Sequence, residues 1–104
     1  MITAIASTGN TLDSKVDSRF GRCSFFTFYD DESKKIEFLS NPNAKASGGA
    51  GPATVEFIAN KRANRVVAGE FGVKIKSLIE GLNIQMVMIK EDKTIDEIIK
   101  MLNK

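Results

Sequence analysis

The chain has 104 residues, 42% hydrophobic and 27% charged, which is typical of one soluble globular domain spanning residues 1–104. Its net charge of +2 does not indicate a nucleic-acid partner, and it lacks the run of about 20 apolar residues that a membrane span requires. The absence of histidine excludes Ser-His-Asp and Cys-His catalysis, and one cysteine excludes an internal disulfide. That cysteine count, with an N-terminus unlike a signal peptide, predicts a cytoplasmic protein.

The first 40 residues predict three strands. Ile2–Ser7 is a short apolar run without a helical period, which favours a buried strand. Thr11–Cys23 has no strong period, and a segment of that length inside a small domain is typical of a functional loop. The aromatic run Ser24–Asp30 and the alternating run Lys35–Leu39 predict an antiparallel hairpin.

A glycine-rich stretch, Ala46–Gly51, follows the hairpin and precedes Pro52. Three glycines in four positions allow positive φ and close approach of a ligand. Proline suits the first position of a helix, so we expect the loop to end in the N-terminus of a helix over residues 52–62. Unpaired N–H groups and the helix dipole make such an end a candidate anion site. A tight connection without any ligand explains the same residues equally well.

The second half of the chain alternates strands and helices. Strands are predicted over residues 64–68 and 84–89, and an apolar stripe predicts a helix over residues 71–81. Thr94 and Glu97 form a capping-box pattern at the start of a final amphipathic helix. A strand–helix–strand–helix order requires parallel neighbours with right-handed crossovers.

Together these elements predict an α/β fold with one mixed sheet of five strands covered by helices, and a mixed sheet that begins with a hairpin resembles that of ribonuclease-H-like nucleases. The first strand should lie in the interior, with the antiparallel hairpin on one side and the parallel strands on the other. The first strand carries no acidic residue, and Asp13 and Asp17 lie in the loop after it. Two-metal nuclease chemistry needs carboxylates converging from strands, so we reject a nuclease function.

Ligands of open α/β sheets bind outside the carboxyl ends of the strands. We therefore predict a site where Ser7–Asn10, Arg19–Cys23, Ser47–Gly51 and Gly69–Gly72 converge. The expected binding residues are Gly9, Asn10, Arg19, Arg22, Ser47, Gly48, Gly49, Gly51 and Gly69. Arginine offers a planar fork for carboxylate or phosphate, so we expect Arg22 to contribute more than Lys15, which lies on a segment expected to be exposed and mobile.

Cys23 has two interpretations. A lone cysteine is most often a small buried core residue, and we favour that interpretation. Nearby arginines and a helix N-terminus would instead lower the pKa of its thiol and make a thiolate available as one ligand to a preassembled cluster. One thiolate cannot hold a zinc site, which needs four ligands.

Several motifs together resemble the dinitrogenase iron–molybdenum cofactor-binding family, of the NifX type that also occurs at the end of NifB. The resemblance covers nearly the whole chain. It comprises Asp13-Ser14-x-Val16, Ser18-Arg19-Phe20-Gly21-Arg22-Cys23, the aromatic strand Phe25–Tyr29, Asn41-Pro42, Ser47-Gly48-Gly49-Ala50-Gly51 and Val66-Val67-Ala68-Gly69.

The resemblance implies a ribonuclease-H-like fold without nuclease chemistry, and binding or carriage of an iron–sulfur or iron–molybdenum cofactor or its precursor. It also implies a protein partner in cofactor assembly. The family's loop often contains Gly-His-Gly-Ala-Gly, whereas this chain has Ser47 and Gly48 at the matching positions. A cofactor role here would then depend on Cys23 and on contacts with the cargo's negative charge.

Two alternatives remain open beside a non-catalytic carrier. The chain could be an interaction or regulatory domain that has kept the fold and lost the metal ligand. It could also bind a small phosphorylated metabolite at the glycine-rich loop.

Overall fold

The computed structural model describes residues 1–103, which contain five strands and three helices. The strands are β1 (Ile2–Ser7), β2 (Phe25–Asp30), β3 (Ile36–Ser40), β4 (Arg65–Ala68) and β5 (Gln85–Met88). The helices are α1 (Ala50–Asn60), α2 (Val73–Gly81) and α3 (Ile95–Leu102). The predicted order of elements is confirmed, with boundaries that differ by one or two residues.

All five strands form one sheet in the order β3-β2-β1-β4-β5. The central strand, β1, pairs antiparallel with β2, where Ile2 lies opposite Asp30, and parallel with β4, where Thr3 lies opposite Arg65. β2 also pairs antiparallel with β3, and β4 pairs parallel with β5. The α/β class and the mixed five-stranded sheet are therefore confirmed, while the ribonuclease-H-like assignment stays a prediction.

Successive residues of the inner strands face opposite sides of the sheet, and each side has its own core. Ala4 of β1 and Phe26 of β2 pack with Ile58 of α1 and Ile79 of α2. On the other side Ile5 and Tyr29 pack beneath α3. Full burial of such a side chain stabilises a fold by roughly 1.5–3 kcal/mol, so both faces contribute to stability.

Helix α1 begins earlier than predicted. Its N-cap is Gly49, which has a φ of 68°, and Ala50 is the first helical residue. Pro52 therefore occupies the third helical position, where its missing N–H costs nothing because the first four N–H groups of a helix have no intrahelical partner. The prediction of Pro52 at the first position is wrong, and Gly51 belongs to the helix instead of the loop.

Of the other two helices, α2 departs from its sequence prediction in part and α3 agrees with it. In α2, Ile79 is fully buried, but Leu78 is 44% exposed, so part of the predicted apolar stripe faces solvent. In α3, the capping box is present: the Thr94 side chain accepts the N–H of Glu97, whose carboxylate accepts the N–H of Thr94. Among the helices of residues 1–103, none has the length and hydropathy needed to cross a membrane.

Candidate functional site

The carboxyl ends of β1 and β4 lie side by side along one edge of the sheet, the edge formed by strand ends, and the segment after β1 folds across both. The N–H of Asp17 donates to the carbonyl of Ala6 at 2.8 Å, and the N–H of Gly69 donates to the carbonyl of Asp17 at 3.0 Å. A Cβ on Gly69 would lie only 2.6 Å from the Cα of Ser18. Because glycine has no Cβ, Gly69 allows the backbone at the end of β4 to pack directly against the backbone of Ser18.

Arg19 is already engaged by a carboxylate. Its Nε and Nη2 each lie 3.2 Å from an oxygen of Asp17, and its backbone N–H donates to the same carboxylate at 2.8 Å. The Asp17 side chain is only 5% exposed, and the hydrogen bond between the two side chains raises the pKa of Arg19. An external anion would have to compete with Asp17 for this guanidinium.

The residues around Arg22, Phe20–Ser24, form the Arg22 loop, which packs against the first turn of α1, and the first turn of α1 packs in turn against Ile75 in the first turn of α2. A Cβ on Gly21 would lie 3.2 Å from both the Cα and the N of Gly51, and a Cβ on Gly51 would lie 2.5 Å from the Cδ1 of Ile75. These two glycines let the loop after Arg19, the start of α1 and the start of α2 approach one another. The predicted meeting of the Arg19–Cys23 segment with the glycine-rich loop is present in the structure.

The two neighbouring helix N-termini are both open. The N-caps are Gly49 for α1 and Gly72 for α2, neither helix has a side-chain cap, and neither has an acidic residue in its first turn. By contrast, α3 has Thr94 as a cap and two acids in its first turn. A Cβ at Gly48 or Gly49 would meet nothing within 4 Å, so the loop before α1 faces open space.

Arg22 lies against this loop. Its side chain is exposed, and its Nη1 donates to the carbonyl of Ala46, which immediately precedes the exposed residue Ser47. The guanidinium has five N–H donors in a fixed fork, so one bond to Ala46 leaves others for a ligand. Of the two predicted arginine contacts, Arg22 is the one beside the glycine-rich loop without a carboxylate partner among residues 1–103.

Cys23 is a core residue. Its exposure is 0%, and its Sγ donates to the carbonyl of Phe20 at 3.3 Å. Burial raises the pKa of the Cys23 thiol to about 12, because the thiolate would lose its hydration. The hypothesis that the surroundings lower this pKa is therefore wrong, and the favoured core interpretation describes the residue. Within residues 1–103, no group of three or more Cys, Asp or Glu side chains is arranged to hold a metal ion.

The turn at Gly9 and Asn10 belongs with the start of α3. A Cβ on Gly9 would lie 2.6 Å from the Oγ of Ser14, whose carbonyl in turn accepts the N–H of Ile95. The backbone of Lys15 forms an isolated antiparallel β-bridge with Thr94, and the ammonium of Lys15 forms an ion pair with Asp92 at 3.3 Å. The contacts place this turn and Lys15 beside α3, where backbone hydrogen bonds tie the segment to its neighbours, and Lys15 is exposed as predicted.

Two polar residues that the sequence did not single out as site residues hold the Arg22 loop. Asn41 and Thr54 are both buried, and each donates a hydrogen bond to the carbonyl of Gly21, at 3.2 and 3.4 Å. Their role depends on tertiary contacts between β3, α1 and the loop. The Asn41-Pro42 dipeptide was the one local signal that could have indicated Asn41.

Two surface grooves are lined by residues outside the glycine-rich loop, although the second begins at Pro52, directly after that loop. One, of about 220 Å³, is at the opposite edge of the sheet and is lined by Ile2, Phe28, Asp30, Lys35, Glu37 and Lys61. The other, of about 470 Å³, is apolar and runs between α1 and α2, lined by Pro52, Val55, Glu56, Ala59, Leu78, Gly81 and Leu82. The candidate site is therefore an open edge that would hold a ligand on the surface.

Comparison with known proteins supports a family assignment. The model of the family described as dinitrogenase iron–molybdenum cofactor matches residues 1–104. The apo form of the orange protein from Desulfovibrio gigas is 25% identical, covers 97% of this chain and 85% of that chain, and gives a TM-score of 0.90. A putative NifB protein from Thermotoga is 30% identical, with coverage of 97% and 85% and a TM-score of 0.82. No curated protein matches the chain closely enough to count as a relative.

The fold and the edge define a small α/β domain with two open helix N-termini beside the carboxyl ends of its parallel strands. Since the family model matches the chain from the first to the last residue, this protein belongs to the dinitrogenase iron–molybdenum cofactor family. The resemblance carried by the Ser18–Cys23 motif and the glycine-rich loop is thereby confirmed.

Proposed function

We propose that this protein is a non-catalytic carrier, formed by one domain over residues 1–104, whose cargo is an iron–sulfur or iron–molybdenum cofactor or its precursor. The observation that carries the proposal is the pair of uncapped helix N-termini at Gly49 and Gly72, held side by side by the contact between Gly51 and Ile75. The family assignment supplies the class of cargo.

The electrostatics of this edge favour an anion. Each helix N-terminus carries the equivalent of about half a positive charge, and α1 and α2 leave theirs without an acidic neighbour in the first turn. Lys74 lies in the first turn of α2, where a cation opposes the helix dipole. An anion bound between the two helices would offset both effects, and the cofactor's clusters and organic acid carry negative charge.

The donors at this edge are suited to the anionic groups of a cargo. The N–H groups of the exposed N-cap Gly49 and of Ala50 lie at the start of α1, where a helix cannot satisfy them internally, whereas the N of Gly51 is covered by Gly21. The guanidinium of Arg22 adds a charge-assisted donor beside them. Cys23 is buried beneath the loop, so we propose that this protein holds its cargo through hydrogen bonds and charge, without a bond from Cys23 to a metal.

A small phosphorylated metabolite is the second candidate, because helix N-termini bind phosphate through the same N–H groups. The lack of histidine at Ser47 and Gly48 favours this candidate or an interaction domain that has lost its metal ligand. The three possibilities differ in what the purified protein retains. A carrier should also have a protein partner that supplies or accepts the cofactor.

The test is anaerobic incubation with an iron–sulfur or iron–molybdenum cofactor, removal of the unbound cofactor, and measurement of retained iron, molybdenum and sulfide with the visible spectrum. Arg22→Gln should lower the affinity about tenfold, since a charge-assisted hydrogen bond is lost. Arg62→Gln is the matched control, because Arg62 is also exposed but follows the last residues of α1, at its other end.

The outcomes separate the candidates. Cofactor retention that falls with Arg22→Gln and not with Arg62→Gln supports the carrier. Binding of a phosphate ester without retention of any cofactor favours the metabolite. Retention of neither leaves an interaction domain, and equal loss in both variants places the site elsewhere.

A further inference from the structure

Asn41 uses its side-chain amide to hold the backbone on both sides of Arg22. It is 5% exposed and lies immediately after β3. Its Nδ2 donates to the carbonyl of Gly21 at 3.2 Å and to the carbonyl of Cys23 at 2.9 Å. An amide nitrogen has two N–H groups, so both donors of Asn41 are directed at the residues that flank Arg22.

The same residue starts the turns that lead to the glycine-rich loop. The Oδ1 of Asn41 accepts the N–H of Asn43 at 3.0 Å, and the carbonyl of Asn41 accepts the N–H of Ala44 at 3.3 Å. The carbonyl of Asn43 then accepts the N–H of Ala46 at 3.1 Å. Ala46 is the residue whose carbonyl accepts the Arg22 guanidinium, so the hydrogen bonds form a closed circuit through Asn41.

We propose that Asn41 is a positioning residue of the anion site formed by Arg22 and the N-termini of α1 and α2, and that it sets the separation between the Arg22 guanidinium and the glycine-rich loop. The inference rests on the proposed function, since it names the residue that assembles that site. The side chain at position 41 must supply two donors, to the carbonyls of Gly21 and Cys23, and one acceptor, for the N–H of Asn43. Aspartate would offer two carboxylate oxygens to the carbonyls of Gly21 and Cys23, and alanine would offer no partner.

The first measurement needs no ligand. Because the Arg22 guanidinium is hydrogen-bonded to Ala46, its side-chain N–H signals should be resolved in nitrogen-15 NMR spectra of the native protein. In Asn41→Ala these signals should collapse into the averaged signal of free arginines. Thr54→Val is the matched control, because it removes the 3.4 Å hydrogen bond to the same Gly21 carbonyl and leaves both Asn41 donors in place.

The second measurement is a double-mutant cycle with inorganic phosphate as the probe. Arg22→Gln should raise the dissociation constant about tenfold in the native background but less than about twofold in the Asn41→Ala background. In the Thr54→Val background the effect of Arg22→Gln should stay near tenfold. A stability loss alone would not produce this pattern, and Asn41→Ser replaces Asn41→Ala if the latter fails to fold.

The outcomes distinguish this inference from the proposed function. An unchanged Arg22 signal in Asn41→Ala, or an equal Arg22→Gln effect in all three backgrounds, overturns the positioning role. Collapse of the signal in Thr54→Val as well would overturn it too, since general loosening would then be the cause. Failure of the native protein to bind phosphate counts against the anion site, while the Arg22 signal still decides the role of Asn41.

Discussion

The state of Cys23 gives a sharp prediction about its reactivity. Burial raises the pKa of this thiol from its ordinary value of 9.0 to about 12. At pH 8 the thiolate fraction is then roughly one in ten thousand instead of about one in ten, and only the thiolate reacts with alkylating reagents. We expect alkylation of the native protein to be at least about a thousandfold slower than alkylation of the unfolded chain.

Iodoacetamide labelling followed by mass spectrometry measures this rate, with and without denaturant. A double variant, Cys23→Ser with Ser24→Cys, is the matched control because it moves the thiol by one position to an exposed residue. That variant should react at a rate within about tenfold of the unfolded chain's, because its thiol keeps an ordinary pKa in solvent. The two proteins differ only in which of two adjacent residues carries the sulfur.

The same pKa shift predicts how stability depends on pH. Between pH 9 and about 12 the unfolded chain loses the thiol proton and the folded chain keeps it, so stability present below pH 9 is lost as pH rises. The loss approaches about 1.4 kcal/mol per pH unit and should be absent in Cys23→Ser. Native labelling within tenfold of the unfolded rate would refute the reasoning and restore Cys23 as a candidate cluster ligand.

Three further predictions concern the backbone contacts and the cap. Gly69→Ala should lower the free energy of unfolding by roughly 1–3 kcal/mol, because the new Cβ would lie 2.6 Å from the Cα of Ser18. Gly81→Ala has open space around the new Cβ and should raise the free energy of unfolding by about 0.5–1 kcal/mol. Equal midpoints of urea unfolding for the two variants would contradict this prediction. Thr94→Ala should cost about 1 kcal/mol by removing the α3 cap, and an unchanged thermal midpoint would count against the capping box. The N–H of Thr94 lowers the pKa of Glu97, so the stability that Glu97 contributes is lost as pH falls below 4.5. The difference in free energy of unfolding between the native protein and Glu97→Gln should therefore shrink in acid. A difference that stays constant with pH would exclude this linkage.

The order of elements was predictable because it depends on local patterns. The spacing of Ile95, Ile98 and Ile99 and the Thr94–Glu97 pair specify α3 from adjacent residues alone, and the structure shows both. The start of α1 was not predictable in the same way. Proline is tolerated anywhere in the first turn, so Pro52 could not fix the first helical residue, and the positive φ of Gly49 leaves no unique mark in a run of glycines.

The site was only partly predictable because its chemistry depends on tertiary contacts. The approach of Gly21 to Gly51 agrees with the predicted meeting of two loops. The engagement of Arg19 by Asp17 and the burial of Cys23 depend on how the loop packs over the sheet, which no local pattern encodes. A lone cysteine near arginines has the same sequence signature whether it is exposed or buried, and burial reverses the direction of its pKa shift.

The central position of β1 has a consequence for how the chain acquires its structure during synthesis. β1 and β2 can pair as soon as the first 30 residues have emerged, and their antiparallel register needs only the intervening loop. The parallel partner comes much later: Arg65 of β4, whose Nε donates to Thr3 at 3.0 Å, is separated from it by 62 residues. Closing so long a loop is entropically costly and slows folding. Until β4 arrives, β1 exposes an unpaired edge, so a nascent chain paused between the two strands presents a strand that can pair with another chain.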